Sequence, residues 1–294
     1  MKKLDKILKK EAYAVAIRKA KTNDPFYIKY PTMHEWWADP FVCKHEGINY
    51  CFVELMNSYR LHGEIAVAKI ENGCIGDFSV VISEPFHMSF PNVFKYDGQW
   101  YMLPETNHCK QVRLYKAVNF PYEWTLDTVL CDDERLVDHS MVPFQNGFFV
   151  VSNDITNEIK AYNRIFYLDM EVKKMIEISP QGEWGNIRPG GTFYCRDGKW
   201  RHVLQDGVRA YGDYLHVYEV DELSNDTFKE HEIRSVRVND LKYVNDNGRL
   251  EHIHTFNCND DYEVIDLQYN KIYPNKIMIH WYHEYLKHIK KNWK

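Results

Sequence analysis

The 294-residue sequence predicts an all-β fold, a single five-bladed β-propeller of four-stranded antiparallel blades. A short aromatic strand, a Gly-containing turn and a second aromatic strand recur along it. The copies are PFVCKHEGINYCFVE from Pro40, PNVFKYDGQWYMLPE from Pro91, VPFQNGFFVVSND from Val142 and TFYCRDGKWRHVLQD from Thr192, with a more degenerate HTFNCNDDYEVID from His254. Phe41, Phe94, Phe144 and Tyr194 precede the turns at steps of 53, 50 and 50 residues, and Phe256 follows after 62. A period near 50 with two or more strands per unit is the signature of propeller blades. Aromatic residues make up 15% of the chain, which suits bulky packing between stacked sheets.

Leu4 to Lys10 reads as one or two helical turns. AYAVAIRK, from Ala12, follows as a strand placed to complete the last blade. The Pro25–Pro31 segment and the His34–Asp39 loop lead into the first inner strand. EIAVAKI, FSVVIS, QVRLYKA, RIFYLDM, LHVYEV, EHEIRSVRV and NKIMIHWY then alternate with Gly, Asn and Asp punctuation, the all-β pattern. Blade starts are expected near Asp39, Pro91, Asp138, Arg188 and His252. The basic tail from Glu284 to Lys294 reads as a short solvated helix. No Pro/Gly/Ser-rich linker divides the chain, so one domain over 1–294 is expected.

Composition excludes several classes. A formal charge of −5 and an isoelectric point near 6.3 lack the basic footprint of a nucleic-acid partner. No run of 18 apolar residues predicts a transmembrane span, and MKKLDKILKK lacks the apolar core of a secretory signal. Seven cysteines with no CxxC pair argue against a disulfide framework or structural zinc and for a reducing, cytoplasmic setting. There is no GxSxG elbow, P-loop or GxGxxG, and HEYLKH is not HExxH. Oligomeric state is left open.

Seven residues after each turn glycine the chain places a polar group: Glu54 after Gly47, Glu105 after Gly98, Asp154 after Gly147 and Gln205, with Asp206 next, after Gly198. Equivalent positions in successive blades face one surface, so these residues are expected at a shared site rather than as separate strand caps. His34-Glu35-Trp36-Trp37-Ala38-Asp39-Pro40 opens the first copy. Pro40 removes a ladder donor, holding the Asp39 carboxylate at an open strand end, and Trp36 and Trp37 offer a stacking wall. Arg188, Gln205, Asp206 and Tyr211 form a second cluster, suited to orienting a sugar or forming an inter-blade ion pair. His252 and His254, two apart, share a strand face compatible with metal ligation or with packing.

WWADPF, SFPNVF-x-YDG-x-WYMLPET, VDHSMV, RPGG, QD-x4-YG and HTFN-x7-ID, in that order, resemble the β-propeller module at the N-terminus of glucosamine inositolphosphorylceramide transferase-like proteins, of which stand-alone versions occur in bacteria. That module is similar to the five-bladed propellers of arabinanases, β-xylosidases and invertases. The resemblance implies that Asp39 is the general base or nucleophile, Glu105 the general acid and Asp138 the carboxylate that tunes it. Glu54 and Asp206 stand as alternative acids. It also implies that His254 lies beside a central water or calcium-like divalent cation, with no cofactor otherwise required.

Glycosyl cleavage needs one protonated and one ionised carboxyl on either side of the sugar, and only differing surroundings can separate their pKa values. The expectation is therefore a glycoside hydrolase-like enzyme acting on a carbohydrate or glycolipid in bacterial surface-polysaccharide or glycolipid metabolism. A non-catalytic glycan-binding module working beside a separate glycosyltransferase is the alternative.

Overall fold

The computed structural model describes residues 9–60, 62–156, 161–206, 212–247 and 250–272, together with 282 and 285. The expected N-terminal helical turns fall on residues 4–8, outside the described residues, and on Lys9 and Lys10, which begin a strand. Most of the basic tail also lies outside them.

Five sheets surround one axis. Blade one runs outward through Glu35–His45, Ile48–Asn57 and Glu64–Glu71 to a split edge of Cys74–Ile75 and Ser79–Ile82. Blade two is Ser89–Tyr96, Gln99–Glu105, Gln111–Asn119 and Glu123–Asp132. Blade three is Leu136–Phe144, Gly147–Asp154, Tyr162–Asp169 and Lys174–Ile178. In blade four the inner strand Tyr194–Arg196 is short, and a bridge from Pro189 to Leu204 prolongs it. Lys199–Asp206, Tyr214–Leu223 and Phe228–Val236 complete that sheet.

Blade five joins residues from both ends of the described chain. Phe256–Cys258 is innermost, Tyr262–Ile272 next, then Lys9–Lys19 in antiparallel register with it, and Phe26–Lys29 outermost. Two short additions, Leu250–His252 and the parallel Tyr243–Val244, make this sheet irregular. The five-bladed, four-stranded reading of the sequence therefore holds, with blades one and five departing from the plain pattern.

Two-residue hairpins fix the register. Glu46-Gly47, Asp97-Gly98 and Asp197-Gly198 all have positive φ at both positions, the backbone that matches strand twist and favours Gly second. In blade three the turn is Gln145-Asn146, and Gly147 already pairs with Phe144. This corrects the repeat alignment by one residue. The slot shared with Glu54, Glu105 and Gln205 belongs to Asn153, not Asp154. Asn153 donates to Asn163 Oδ1 (2.9 Å), while Asp154 binds Arg164 (3.0 Å). Counted from the turns, Phe41, Phe94 and Phe144 are likewise not one slot. Their distances from the turn fall in steps of two residues, which keeps them on the same face of their strands.

Among the described residues, buried apolar side chains fall into five clusters, one at each blade interface. Phe41, Phe52, Phe90 and Trp100 join blades one and two, and Val15, Val264, Trp37 and Val53 join blades five and one. Tyr101, Leu103 and Phe148 join two and three, Phe149, Phe193 and Phe228 three and four, and Tyr194, Val203 and Ile265 four and five.

Polar links close the ring. Across the axis, Asn92 donates to His139 O (2.8 Å) and Thr192 Oγ1 (3.1 Å). Thr192 Oγ1 donates to Met141 O (2.9 Å), and its backbone N–H donates to Asn257 Oδ1 (2.8 Å). Asn257 in turn donates to Pro40 O (2.9 Å). Near the seam, Glu263 is held by Arg18 of the Lys9–Lys19 strand (2.6 Å) and by Arg196 of blade four.

Removing one partner from a buried ion pair leaves the others uncompensated, so Glu263→Ala should lower stability by about 3–5 kcal/mol in urea unfolding. A loss below about 1 kcal/mol, the worth of an exposed pair, would show that the clasp contributes little. Burial raises the Glu263 carboxyl, but Arg196 and Arg18 outweigh it and hold the group below its ordinary 4.5. Its contribution is therefore full above about pH 4.5 and is lost as pH falls through the lower folded value.

Candidate active site

Asp39, Phe90 and Asp138 occupy one repeat position, eight residues before the second turn residue of their hairpins. All three are left-handed, with φ of 49°, 47° and 51°. Each sits at a register shift of the inner strand, between Ala38 and Phe41, Ser89 and Asn92, and Val137 and Ser140. A bulge of this kind re-aims a side chain that a regular strand would send into the sheet. The aspartates at two of the three bulges are buried.

The first cluster centres on His254. Its Nε2 lies 3.3 Å from Asp39 Oδ1 and its Nδ1 2.8 Å from Asp266 Oδ2. Asp39 further accepts from Thr255 Oγ1 (2.8 Å) and from the Phe90 N–H (3.1 Å). Asp266 accepts from the backbone N–H groups of Asp39, His254 and Thr255 at 3.0, 3.1 and 2.9 Å. Burial disfavours charge on the imidazole, but Asp266 and Asp39 outweigh it and push His254 up to about 10. Burial likewise raises Asp39, yet its bond to His254, the His254 charge, Thr255 and Phe90 together hold it below its usual range.

The second cluster centres on Arg188. Its Nε and Nη2 clasp both oxygens of Asp138, and Nη2 reaches Glu105 Oε2 at 3.3 Å. Gln205 donates to Asp138 Oδ2 (3.3 Å) and Asn107 to Glu105 Oε1 (2.7 Å). Burial first, then the charges of Glu105 and Asp39, push Asp138 up to about 7 against the pull of Arg188. Glu54 lies between the clusters. Burial and then Asp39 and Glu105 hold its carboxyl well above the ordinary range. Its Oε1 is 3.2 Å from His87 Nε2. Two carboxyls from adjacent strands thus have opposite tendencies: Asp39 ionised, Glu54 protonated.

The structure brings together Asp39, Glu54, Glu105, Asp138, Arg188, Gln205 and His254. Asp206 faces elsewhere, because alternation along the strand turns it away from Gln205, toward His216 (3.9 Å). Trp37 is buried against Phe78, with ring centroids 4.8 Å apart, and belongs to the core rather than a stacking wall. Trp36 is half-buried, 5.4 Å from the Tyr13 ring, which itself lies 4.9 Å from His254. Tyr211 lies outside the described residues. His252 pairs with Gln268 in a separate strand and is not among the triad's ligand atoms.

Sequence reasoning gave no role to Asp266, Thr255, His87 or Asn107. The Ile-Asp of the sixth motif was the signal for Asp266. Nothing in the sequence marks His87, which arrives from the loop before blade two.

Asp39, His254 and Asp266 offer three ligand atoms within 4.8 Å of one another. As arranged they do not fit a calcium-like ion, which seeks six to eight oxygens. Both imidazole nitrogens face carboxylates, and both Asp266 oxygens receive N–H donors. The positive charge of this group is the imidazolium.

The family model described as glucosamine inositolphosphorylceramide transferase 1, N-terminal, matches residues 18–264. Relatives named glucosamine inositolphosphorylceramide transferase 1 include a protein from Oryza sativa subsp. japonica, 31% identical over 212 residues, and one from Arabidopsis thaliana, 30% identical over 212. The matches cover 66% and 67% of this chain but only 27% of each relative. These relatives are plant proteins, which overturns the bacterial setting expected from the sequence.

Similar solved structures include an α-L-arabinofuranosidase from Podospora anserina, with a TM-score of 0.57 at 12% identity, covering 82% of this chain and 92% of that one. Another is a family 43 β-xylosidase/α-arabinofuranosidase from a compost metagenome, with a TM-score of 0.53 at 13% identity, covering 87% and 94%. At such identities the likeness is one of fold.

His254 should remain an imidazolium through neutral pH, with no imidazole titration between pH 5 and 8 by NMR. Asp266→Asn should bring the titration into that window. A wild-type midpoint near the ordinary 6.5 would overturn the ion-pair assignment. Because the folded value is raised, the stabilisation is full below about pH 6.5 and is lost as pH climbs through about 10.

Proposed function

The chain belongs to the glucosamine inositolphosphorylceramide transferase 1 N-terminal family, and we propose that its axial carboxylates cleave or transfer a glycosyl unit of a carbohydrate or glycolipid. The observation that carries this reading is the pairing of Asp39 and Glu54 on neighbouring strands with opposed proton affinities. Such a split is what acid–base chemistry on an acetal requires. Glu54, carrying a proton, is the acid to the departing oxygen. Asp39, held ionised by His254 and Thr255, is the base toward water or the nucleophile toward the anomeric carbon.

This assigns the acid to Glu54 rather than Glu105, whose oxygens are engaged by Arg188 and Asn107. Asp138, Arg188, Gln205 and Glu105 then form the wall that orients hydroxyls, with Trp36 at the rim as the stacking surface. Glycolipid metabolism is the setting supported by the family, and the particular sugar is left to experiment.

One observation favours a second reading, a glycan-binding module. Both oxygens of Asp39, Glu105 and Asp138 already accept hydrogen bonds within the protein. A hydrolase would have to loosen some of these contacts as substrate enters.

Asp39→Asn and Glu54→Gln separate the two readings. On aryl glycosides, nucleotide sugars and glycosylated inositol phospholipids, each should cut turnover at least about 100-fold, the lower end of acid–base contributions. Glu105→Gln should cost less than either. Glycan binding by calorimetry should change little, because amides still bond hydroxyls. Full turnover in both Asp39 and Glu54 variants would end the catalytic assignment, and binding without turnover in the wild type would favour the module.

A further inference from the structure

We infer that the open groove between blades three and four is a glycan subsite, where Tyr162 and Trp184 hold the outer units of a neutral oligosaccharide whose end reaches the axis. The inference rests on the reading of the axis as a sugar site and extends that site outward.

The groove, of about 440 Å³, is lined by Tyr162, Asn163, Gly182, Glu183, Trp184 and Asn186, a size ordinary for small-molecule sites. One wall is Tyr162, the first residue of its strand, paired with Asp154 and 44% exposed. The other wall is the segment that leads into blade four. Its outer part is tied to the edge strand, where the Phe228 N–H donates to Gln181 O and the Glu230 N–H to Glu183 O, both at 2.9 Å. Gly182, with φ of 140°, permits this docking, because a Cβ there would meet Phe228 O at 2.0 Å. The inner part is braced by Asn163, which donates to Gly185 O (3.1 Å) and Ile187 O (2.8 Å). Asn163 is held in turn by Asn153, the blade-three member of the slot that carries Glu54, Glu105 and Gln205. Arg188 follows Asn186 by two residues, so at most about 7 Å of chain separates the groove from the axial cluster. The groove is a fixed neighbour of the site at the axis.

Its lining matches a sugar. Tyr162 and Trp184 offer ring faces to the apolar face of a pyranose, and each carries a polar tip. Asn186 Oδ1 accepts the Asn163 N–H at 2.8 Å, which leaves its NH2 group to donate. Glu183 is exposed and supplies an acceptor carboxylate. A donor and an acceptor flanked by rings suit a pair of sugar hydroxyls. The one charge among the six residues is negative, which opposes phosphate or sulfate here and selects a neutral unit.

A printed array of neutral oligosaccharides is the probe, followed by calorimetry on the chain that binds and on its terminal monosaccharide. The longer chain should bind at least about tenfold more tightly, and Tyr162→Ala should remove about that factor. Tyr162→Phe, which keeps the ring, should retain most of it, and monosaccharide binding should change little in either variant. Binding of no neutral oligosaccharide overturns the inference, as do equal losses for both lengths in Tyr162→Ala. Monosaccharide binding with no gain from length removes the subsite and leaves the axial site standing.

Trp184 also packs near Phe228, with ring centroids 5.9 Å apart, so it is read by fluorescence rather than by truncation. The longer chain should shift tryptophan emission by an amount lost in Trp184→Phe. A shift kept in full there places the ligand elsewhere and overturns the subsite. Neither readout involves turnover, so the subsite and the catalytic assignment fail separately.

Discussion

The inner edge of every blade presents backbone groups to the axis, where no further strand exists to pair with them. That constraint organises the centre of the molecule. Unpaired buried N–H and C=O groups are expensive, and in this protein side chains answer them. Thr192 both accepts from the Met141 N–H and donates to the Met141 carbonyl. Asn92 caps the His139 carbonyl, and Asn257 ties the Thr192 N–H to the Pro40 carbonyl. Each link joins two blades, so the groups that satisfy the axis also set the blades' relative positions. The left-handed residues Asp39, Phe90 and Asp138 lie on the strands so fixed, and the directions of the two aspartates follow.

Burial in that centre makes charge the second determinant. Among the groups around Glu54, the cations His254 and Arg188 are each wedged between two carboxylates. Arg188 keeps its charge irrespective of pH, whereas His254 keeps its charge only because Asp39 and Asp266 flank it. Glu54 Oε1 has no hydrogen-bond partner among the described residues, and the imidazole 3.2 Å from it, His87, is neutral. The protonation pattern therefore follows from how two cations are shared among five carboxylates, not from the properties of any one residue.

Much of this was visible in the sequence, because turns and strand alternation are local. The hairpins at Gly47, Gly98 and Gly198 announce themselves, and Asp39, Glu105, Asp138 and Arg188 could be gathered by repeat position. Blade three misled because Gln145-Asn146 forms a turn without glycine, and the conspicuous Gly147 stands one residue late. Trp37 misled because composition says nothing of which strand face meets Phe78. Asp206 misled because adjacent residues on a strand point oppositely. The partners that set protonation, Asp266 and Thr255, come from positions where only the assembled ring brings them near. Their influence was not available from spacing.

The seam of blade five has a consequence for how the chain reaches this state. One edge of the strand Lys9–Lys19 pairs with the nearby Phe26–Lys29, but the other pairs with Tyr262–Ile272. On a ribosome that second edge would wait through the synthesis of all the residues in between, unmatched. Bringing ends so distant together carries a loop-closure entropy of roughly 5 kcal/mol, by the logarithmic dependence on length. Blades one to four can each pair their own strands as they emerge, whereas the fifth cannot. The ring therefore closes last, and until it does the half-formed site lacks His254 and Asp266. Before closure the acidic residues would stand without the imidazolium that keeps them apart in proton affinity, so that separation arrives only with the closed ring.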